Sequence, residues 1–271
     1  MNLLKAASAV SLLTLISRVT GLAREQLIAG LFGASAATDA FNVAFRIPNL
    51  FRRLFAEGAF SQAFVPLLAA TRARDGDAAT HSLIDAVATV LTWVLLATCV
   101  LGVAAAPVLV WAMGSGLEQL DTAVVMTRWM FPYIGFMSLV ALGAGVLNTY
   151  RRFAVPALTP VLLNLCVIGA AWWGAPALAA RGIEPILALA AGVMLGGVLQ
   201  LGAMAMALVS AGFLPRIGWW PSAILAAWRH PGVRQVLRQM APAVLGVSVA
   251  QISLLINTRS RPMWPWAPCP G

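Results

Sequence analysis

FRIPNLFRRLFAEGAFSQAF, residues 45–64, is apolar enough for a lipid bilayer, yet it carries Arg46, Arg52, Arg53 and Glu57. Each charge held at mid-bilayer depth against lipid costs about 2.5–3.5 kcal/mol, so four together would cost on the order of 10 kcal/mol. Such a stretch is sustainable in two settings. Its charges snorkel to an interface, or they face a wet cavity between helices.

The rest of the chain places this stretch in a membrane. Of 271 residues 61% are hydrophobic and 10% charged, with a mean hydropathy of +0.86, where soluble domains run near ~25% charged. The net charge of +9 is spread singly or in pairs between apolar blocks, which is not the clustered stripe of a nucleic-acid binder. Cys99, Cys166 and Cys269 lack metal-ligand spacing, and the first two sit in apolar runs as small hydrophobes. No HExxH, GxSxG or P-loop pattern occurs, the acids never cluster as a magnesium site would need, and His81 and His230 are read as loop residues. The expected chain is a carrier rather than an enzyme, with no metal and no cofactor.

Apolar windows long enough to cross about 30 Å of hydrocarbon fall near residues 8–33, 38–69, 82–112, 123–149, 155–178, 185–210 and 236–257. Bare backbone cannot face lipid, so each is expected to be helical. The fold class is therefore all-α, a polytopic membrane bundle of about seven transmembrane helices. Lys5, the pair Arg72 and Arg74, the pair Arg151 and Arg152, and the group Arg216, Arg229, Arg234 and Arg238 occupy alternate connections. This alternation predicts a cytoplasmic N-terminus. The first window runs into Ser17 and Arg18 without a small-x-small pattern, so it reads as a retained helix rather than a cleaved leader. Segment 211–232, with Trp219, Trp220 and Trp228 among its arginines, reads as an amphipathic stretch on the inner membrane surface.

Helical phase gathers the charges. At about 100° per residue, Asp39, Asn42, Arg46, Asn49, Arg53 and Glu57 fall within an arc of roughly 80°, while Arg52 lies off it beyond Pro48. Arg18 and Arg24 lie about 120° apart on the first helix and converge on one broad cavity at best. Glu25 is expected to be a local partner of Arg24. A cationic intramembrane cavity suits an anion, because guanidinium forks donate in pairs to phosphate and carboxylate oxygens and keep their charge. An amphiphile whose tail stays in the bilayer would fit. The competing reading makes Arg46, Arg52 and Arg53 simple interfacial anchors paired with Glu57 or lipid phosphates.

SRVTGLAREQLIAGLFGASAATDAFNVAFRIPNLFRRLFAEGAFSQAFVPLLA (17–69), FPYIGFMSLVALGAGVLNTYRRFAVPALTPVLLNL (131–165) and APAVLGVSVAQISLLINT (241–258) resemble the MurJ (MviN) lipid II flippases of the multidrug/oligosaccharidyl-lipid/polysaccharide exporter superfamily. The resemblance implies a multi-pass bacterial inner-membrane protein of peptidoglycan synthesis, needed for the cell wall and cell shape. It would move lipid II, the undecaprenyl-diphosphate disaccharide-pentapeptide, to the periplasmic leaflet by alternating access. It implies a cationic cavity carrying Arg18, Arg24, Arg52 and the acid Asp39, with Arg46, Asn49, Arg53 and Glu57 as secondary candidates. Implied partners are lipid II, membrane lipids and cell-wall synthesis proteins, with no nucleic acid. Because the family has about 14 helices in two lobes, residues 1–232 are expected to form the first lobe and 233–258 the start of the second. The tail RSRPMWPWAPCPG (259–271) departs from the family pattern and is expected to mark a frameshift or truncated frame, leaving a chain that does not close the pathway alone. Another lipid-linked polysaccharide exporter, and a non-transporting scaffold for cell-wall synthesis, are the alternatives.

Overall fold

Apolar segments close their own backbone hydrogen bonds as helices, and no strand occurs among the described residues of the computed structural model, which are 3–52, 60–113 and 116–240. Helix α1 spans Leu3–Phe32 and α2 Ala36–Arg52; α3 is Phe60–Met113, α4 Leu120–Met130 and α5 Tyr133–Thr149. Helix α6 (Ala154–Gly169) continues through a π-helical turn, Ala170–Gly174, into α7 (Ala175–Ala179); α8 (Leu187–Ala211) and the short α9 (Pro221–Arg229) follow. Residues 231–240 are again helical. Phe60–Met113, Leu120–Thr149, Ala154–Ala179 and Leu187–Ala211 are long and apolar enough to cross a membrane. The expected helical membrane bundle is thus the observed one.

The expected windows meet the helices with two differences. The third to sixth windows match those four long stretches, and the first coincides with α1. The second meets α2 and the start of α3, with Arg53 and Glu57 in the interval 53–59 outside the described residues. Most of the seventh, and the tail 259–271, also lie outside them. Where the sequence suggested a basic loop between the second and third windows, the structure instead runs one helix from Phe60 to Met113, interrupted by Gly76 alone (φ 80°, ψ −173°). A straight helix of that length would extend about 80 Å. One residue in a conformation that only glycine adopts without strain breaks it, so no loop is needed. For the same reason His81 is a helical residue and not a loop residue.

Three connections at this basic end are tied into one cluster. The Arg72 guanidinium lies 4.0 Å above the Tyr150 ring and donates to the Thr149 carbonyl at 3.1 Å. Tyr150 donates its hydroxyl to Asp77 at 3.2 Å, and its ring packs 3.9 Å from that of Phe213, which in turn stacks on His81 at 4.6 Å. The break at Gly76, the end of α5 and the exit of α8 are therefore linked by direct contacts. Loss of hydration first, and then the neighbouring Asp77 carboxylate, push the Tyr150 phenol up to about 12, against a smaller opposing effect of Arg72.

The centre of the bundle is packed through small residues. Helix α6 lies against both α1 and α8, and α5 against α3 and α8. On α8, Gly192 and Gly196 form a GxxxG face. A Cβ on Gly192 would sit 2.6 Å from the Ala170 Cβ and 3.1 Å from the Cys166 carbonyl, and one on Gly196 3.1 Å from the Leu163 Cα. The two backbones are in contact, as expected where lipid supplies no hydrophobic drive between helices and close packing must do so. A buried side-chain bond reinforces the seam, Gln200 donating to the Thr159 carbonyl at 2.6 Å.

Two outcomes follow for the packing. Gly192→Leu should destabilise the bundle by about 1–3 kcal/mol through overpacking, lowering its thermal midpoint in detergent. Gly202→Leu, whose Cβ would meet nothing within 4 Å, should leave the midpoint unchanged. Because the folded state raises the Tyr150 pKa above the ordinary value near ~10, the protonated phenol contributes stability below that pH and loses it as pH rises toward ~12. The stability gap between the parent chain and Tyr150→Phe should accordingly narrow over that range; a constant gap would show that the contact does not titrate.

Candidate anion-binding cavity

A cavity of about 710 Å³ opens between α1 and α2, with Val167 of α6 and Val193 of α8 among its lining residues. Arg24 and Glu25 line it from α1, and Asn42, Arg46 and Asn49 from α2. Two guanidiniums face one carboxylate there, so the cavity carries a net positive charge. The polar positions of α2 recur at helical spacing while Ala40, Phe41, Ala44 and Pro48 are buried. That pattern sets the α2 face seen by the bundle and leaves the polar stripe toward the cavity.

The turn joining the two helices is built locally. Gly33 takes a φ of 60°, and its carbonyl accepts the Thr38 hydroxyl at 3.0 Å. Ser35 Oγ then accepts the Thr38 amide at 3.3 Å, satisfying one of the free donors at the start of α2.

Arg24 is positioned by an asparagine. Its side chain is 19% exposed; one terminal nitrogen donates to Asn164 Oδ1 at 3.1 Å and the other to Glu25 at 3.0 Å. Asn164, 6% exposed on α6, spends its own amide hydrogens on the Ser17 carbonyl at 3.1 Å and Thr20 Oγ1 at 3.2 Å. Every polar atom of that amide is used. Gly21 allows the approach, since a Cβ there would stand 3.5 Å from the Asn164 nitrogen. The Glu25 side chain is 70% exposed, so its pairing with Arg24 is an exposed ion pair worth at most ~1 kcal/mol. Arg24 is held in place without being consumed.

The remaining candidates are distributed as follows. Asn49 and Arg46 join Arg24 in the cavity lining, and Glu25 is the local partner expected of it. Arg18 is an exposed residue of α1 outside that lining. Asp39 is also exposed and outside it, in the first turn of α2, where an acid complements the positive end of the helix dipole. Arg52 is the last residue of α2, and Arg53 and Glu57 lie outside the described residues. Among the described residues no group of three or more His, Cys, Asp or Glu could hold a metal ion. Sequence reasoning missed Asn164. Its only signal was an amide alone in an apolar window, a group that needs a buried partner.

Asn164→Leu should free the middle of α1, because it removes three hydrogen bonds and leaves the Arg24 guanidinium short of an acceptor in a half-buried place. The expected cost is about 1–3 kcal/mol, seen as faster amide hydrogen exchange over residues 17–24 while exchange in α8 stays as in the parent.

The family and sequence comparisons name lipid II flippases. The family described as "Lipid II flippase MurJ" matches residues 28–259. The chain is 55% identical over 262 residues to "Lipid II flippase MurJ" of Burkholderia cenocepacia, a match covering 95% of this chain and 49% of that protein. It is 39% identical over 268 residues to "Probable lipid II flippase MurJ" of Vibrio cholerae, again covering 95% and 49%. A solved structure titled "Lipid II flippase MurJ, inward closed conformation" superposes with a TM-score of 0.71 at 24% identity, over 92% of this chain and 49% of that one. At that identity the likeness speaks for the fold. The chain spans about half the length of the curated relatives it matches.

Proposed function

The chain belongs to the family of MurJ lipid II flippases, and from that premise we propose that it forms the anion-receiving part of a flippase for the lipid-linked peptidoglycan precursor. The observation that carries this reading is the joint placement of Arg24 and Arg46 in one cavity between apolar helices. A diphosphate head carries charge that such a cavity can meet with paired, charge-assisted bonds, while its polyprenyl tail remains in hydrocarbon. The moved molecule is bound and released unchanged.

Arg24 and Arg46 hold the diphosphate, and Asn42 and Asn49 donate to oxygens of the sugar-peptide head. Arg18, Arg52 and Asp39 act beside them, with Arg53 and Glu57 as secondary contacts. The N-terminus is cytoplasmic, so the basic end with Arg72, Arg74, Arg151 and Arg152 faces inward. Transport proceeds by alternating access, residues 1–232 forming a lobe that rocks against a second body exposing the head first inward and then outward. The half of the relatives' length not covered by this chain supplies that body. A potential negative inside favours outward movement of an anion, by roughly 4–5 kcal/mol per ~100 mV for about two charges. Cell-wall synthesis proteins are proposed as further partners.

Native mass spectrometry of the chain titrated with lipid II, and with undecaprenyl monophosphate as control, tests the assignment. Lipid II should be preferred, and Arg24→Ala with Arg46→Ala should weaken its binding at least tenfold, since a hydrogen bond to a charged group contributes about 1.5–3 kcal/mol. Helical content should be retained. Equal, weak binding by parent and variant would overturn the placement of the head group in this cavity.

A further inference from the structure

Residues 212–240 contain four arginines, Arg216, Arg229, Arg234 and Arg238, all exposed, and no acidic residue follows Glu184 anywhere in the chain. The same segment exposes Trp219 (62%), Trp220 (77%), Leu225 and Trp228. Helix α9 has nine residues and so cannot cross a bilayer. It lies against α3, burying Ala227 and partly covering Ala223 and Ile224, and leaves Leu225 and Trp228 exposed.

This apolar and basic segment does not hang on a loose loop. Asp85, Thr89 and Trp93 are spaced four apart on α3 and so share one side of it. Asp85 accepts the Arg216 amide at 2.8 Å, Thr89 Oγ1 accepts the Gly218 amide at 2.9 Å, and the Trp93 indole donates to the Gly218 carbonyl at 3.0 Å. Trp219 then meets Trp93 edge to face at 5.9 Å. A ladder of three bonds fixes the backbone that presents Trp219 and Trp220, so they are held outward at little further loss of freedom on docking.

We propose that segment 213–240 is a pre-formed docking surface for anionic phospholipid headgroups, in which Trp219, Trp220, Leu225 and Trp228 enter the interface and Arg216, Arg229, Arg234 and Arg238 bind lipid phosphates. The choice of occupant rests on charge complementarity. Four exposed cations on a segment that carries no acid of its own, with Asp85 bonded to its backbone and Asp75 beside residues 230–235, leave a net positive charge that matches a negatively charged surface, and indole rings are suited to the level of the headgroups. A protein partner of the same charge would not need so many exposed indoles beside membrane-spanning helices. The proposal stands whether or not the cavity carries lipid II.

The test places a nitroxide at Trp220→Cys in the full chain, with Cys99, Cys166 and Cys269 changed to Ser, in nanodiscs of phosphatidylcholine alone or mixed with phosphatidylglycerol. In the mixed discs the label should be accessible to oxygen and shielded from a water-soluble nickel chelate. That shielding should fall at least threefold when all four arginines are changed to Gln, when salt is raised, or in phosphatidylcholine alone. A label open to the chelate in both discs would overturn the proposal. So would shielding independent of lipid charge and of the arginines, which would mean purely apolar docking; in a further arm with the labelled chain in native membrane vesicles, shielding seen there and in neither disc would mean a protein partner. Asp85→Ala with Thr89→Ala, which loosens the ladder and leaves every charge of the surface in place, should widen the label's spectrum of motion; unchanged motion would refute pre-formation.

Discussion

A guanidinium inside an apolar bundle must find acceptors or it will not stay there, and Arg24 finds one in Asn164 of α6. The position of α1 follows from that bond. The same amide takes the Ser17 carbonyl and the Thr20 hydroxyl, so one turn of α1 is fixed to α6 by a single side chain. Helix α6 is in turn pressed on α8 through Gly192 and Gly196, which lets Val167 and Val193 close one side of the cavity. The Gly33 turn then returns the chain as α2 with Arg46 on the same cavity. Each wall is set by a contact that involves either a small residue or a fully satisfied polar one. In a medium without water those are the available devices for bringing helices together.

The basic end is held by different means. Arg72, Asp77 and Tyr150 combine a cation–π contact with hydrogen bonds, and Phe213 and His81 extend the stack to the exit of α8. Aromatic and ionic contacts do well at this end, where water can complete the hydration of Asp77 and Arg72, both of which are partly exposed. The two layers divide the task. Close packing of glycines fixes the helices where lipid surrounds them, and the mixed cluster fixes their ends where the chain turns.

What could be read from residue order follows from the strength of each signal. Long apolar windows dictate helices because backbone polar groups have no alternative partner in lipid, and so the membrane bundle was legible. Arg24 and Arg46 stood out because charge in an apolar segment is costly, and both line the cavity. Asn164 carried no charge and no periodicity, and its importance lies in what comes to it from residues 17, 20 and 24. Gly76 was unreadable for a related reason: the charges around it resemble a loop, while the backbone needs one glycine and remains helical on both sides. Asp39 shows the opposite case. Its phase on the helix wheel is that of the polar stripe, but its place in the first turn of α2 gives the carboxylate a local reason to be there.

The choice of an amide to hold Arg24 bears on what the cavity can do. A carboxylate at position 164 would make a stronger bond to the guanidinium, and it would also cancel the charge, leaving little attraction for an anion. Asn164 supplies one acceptor and no charge. Glu25 does supply a charge, but from a largely exposed position where water screens it. Arg24 is therefore oriented at short range by a neutral partner, and its charge is not cancelled there. The physical demand for a partner and the unspent positive charge that the proposed anion site would need are met by different residues.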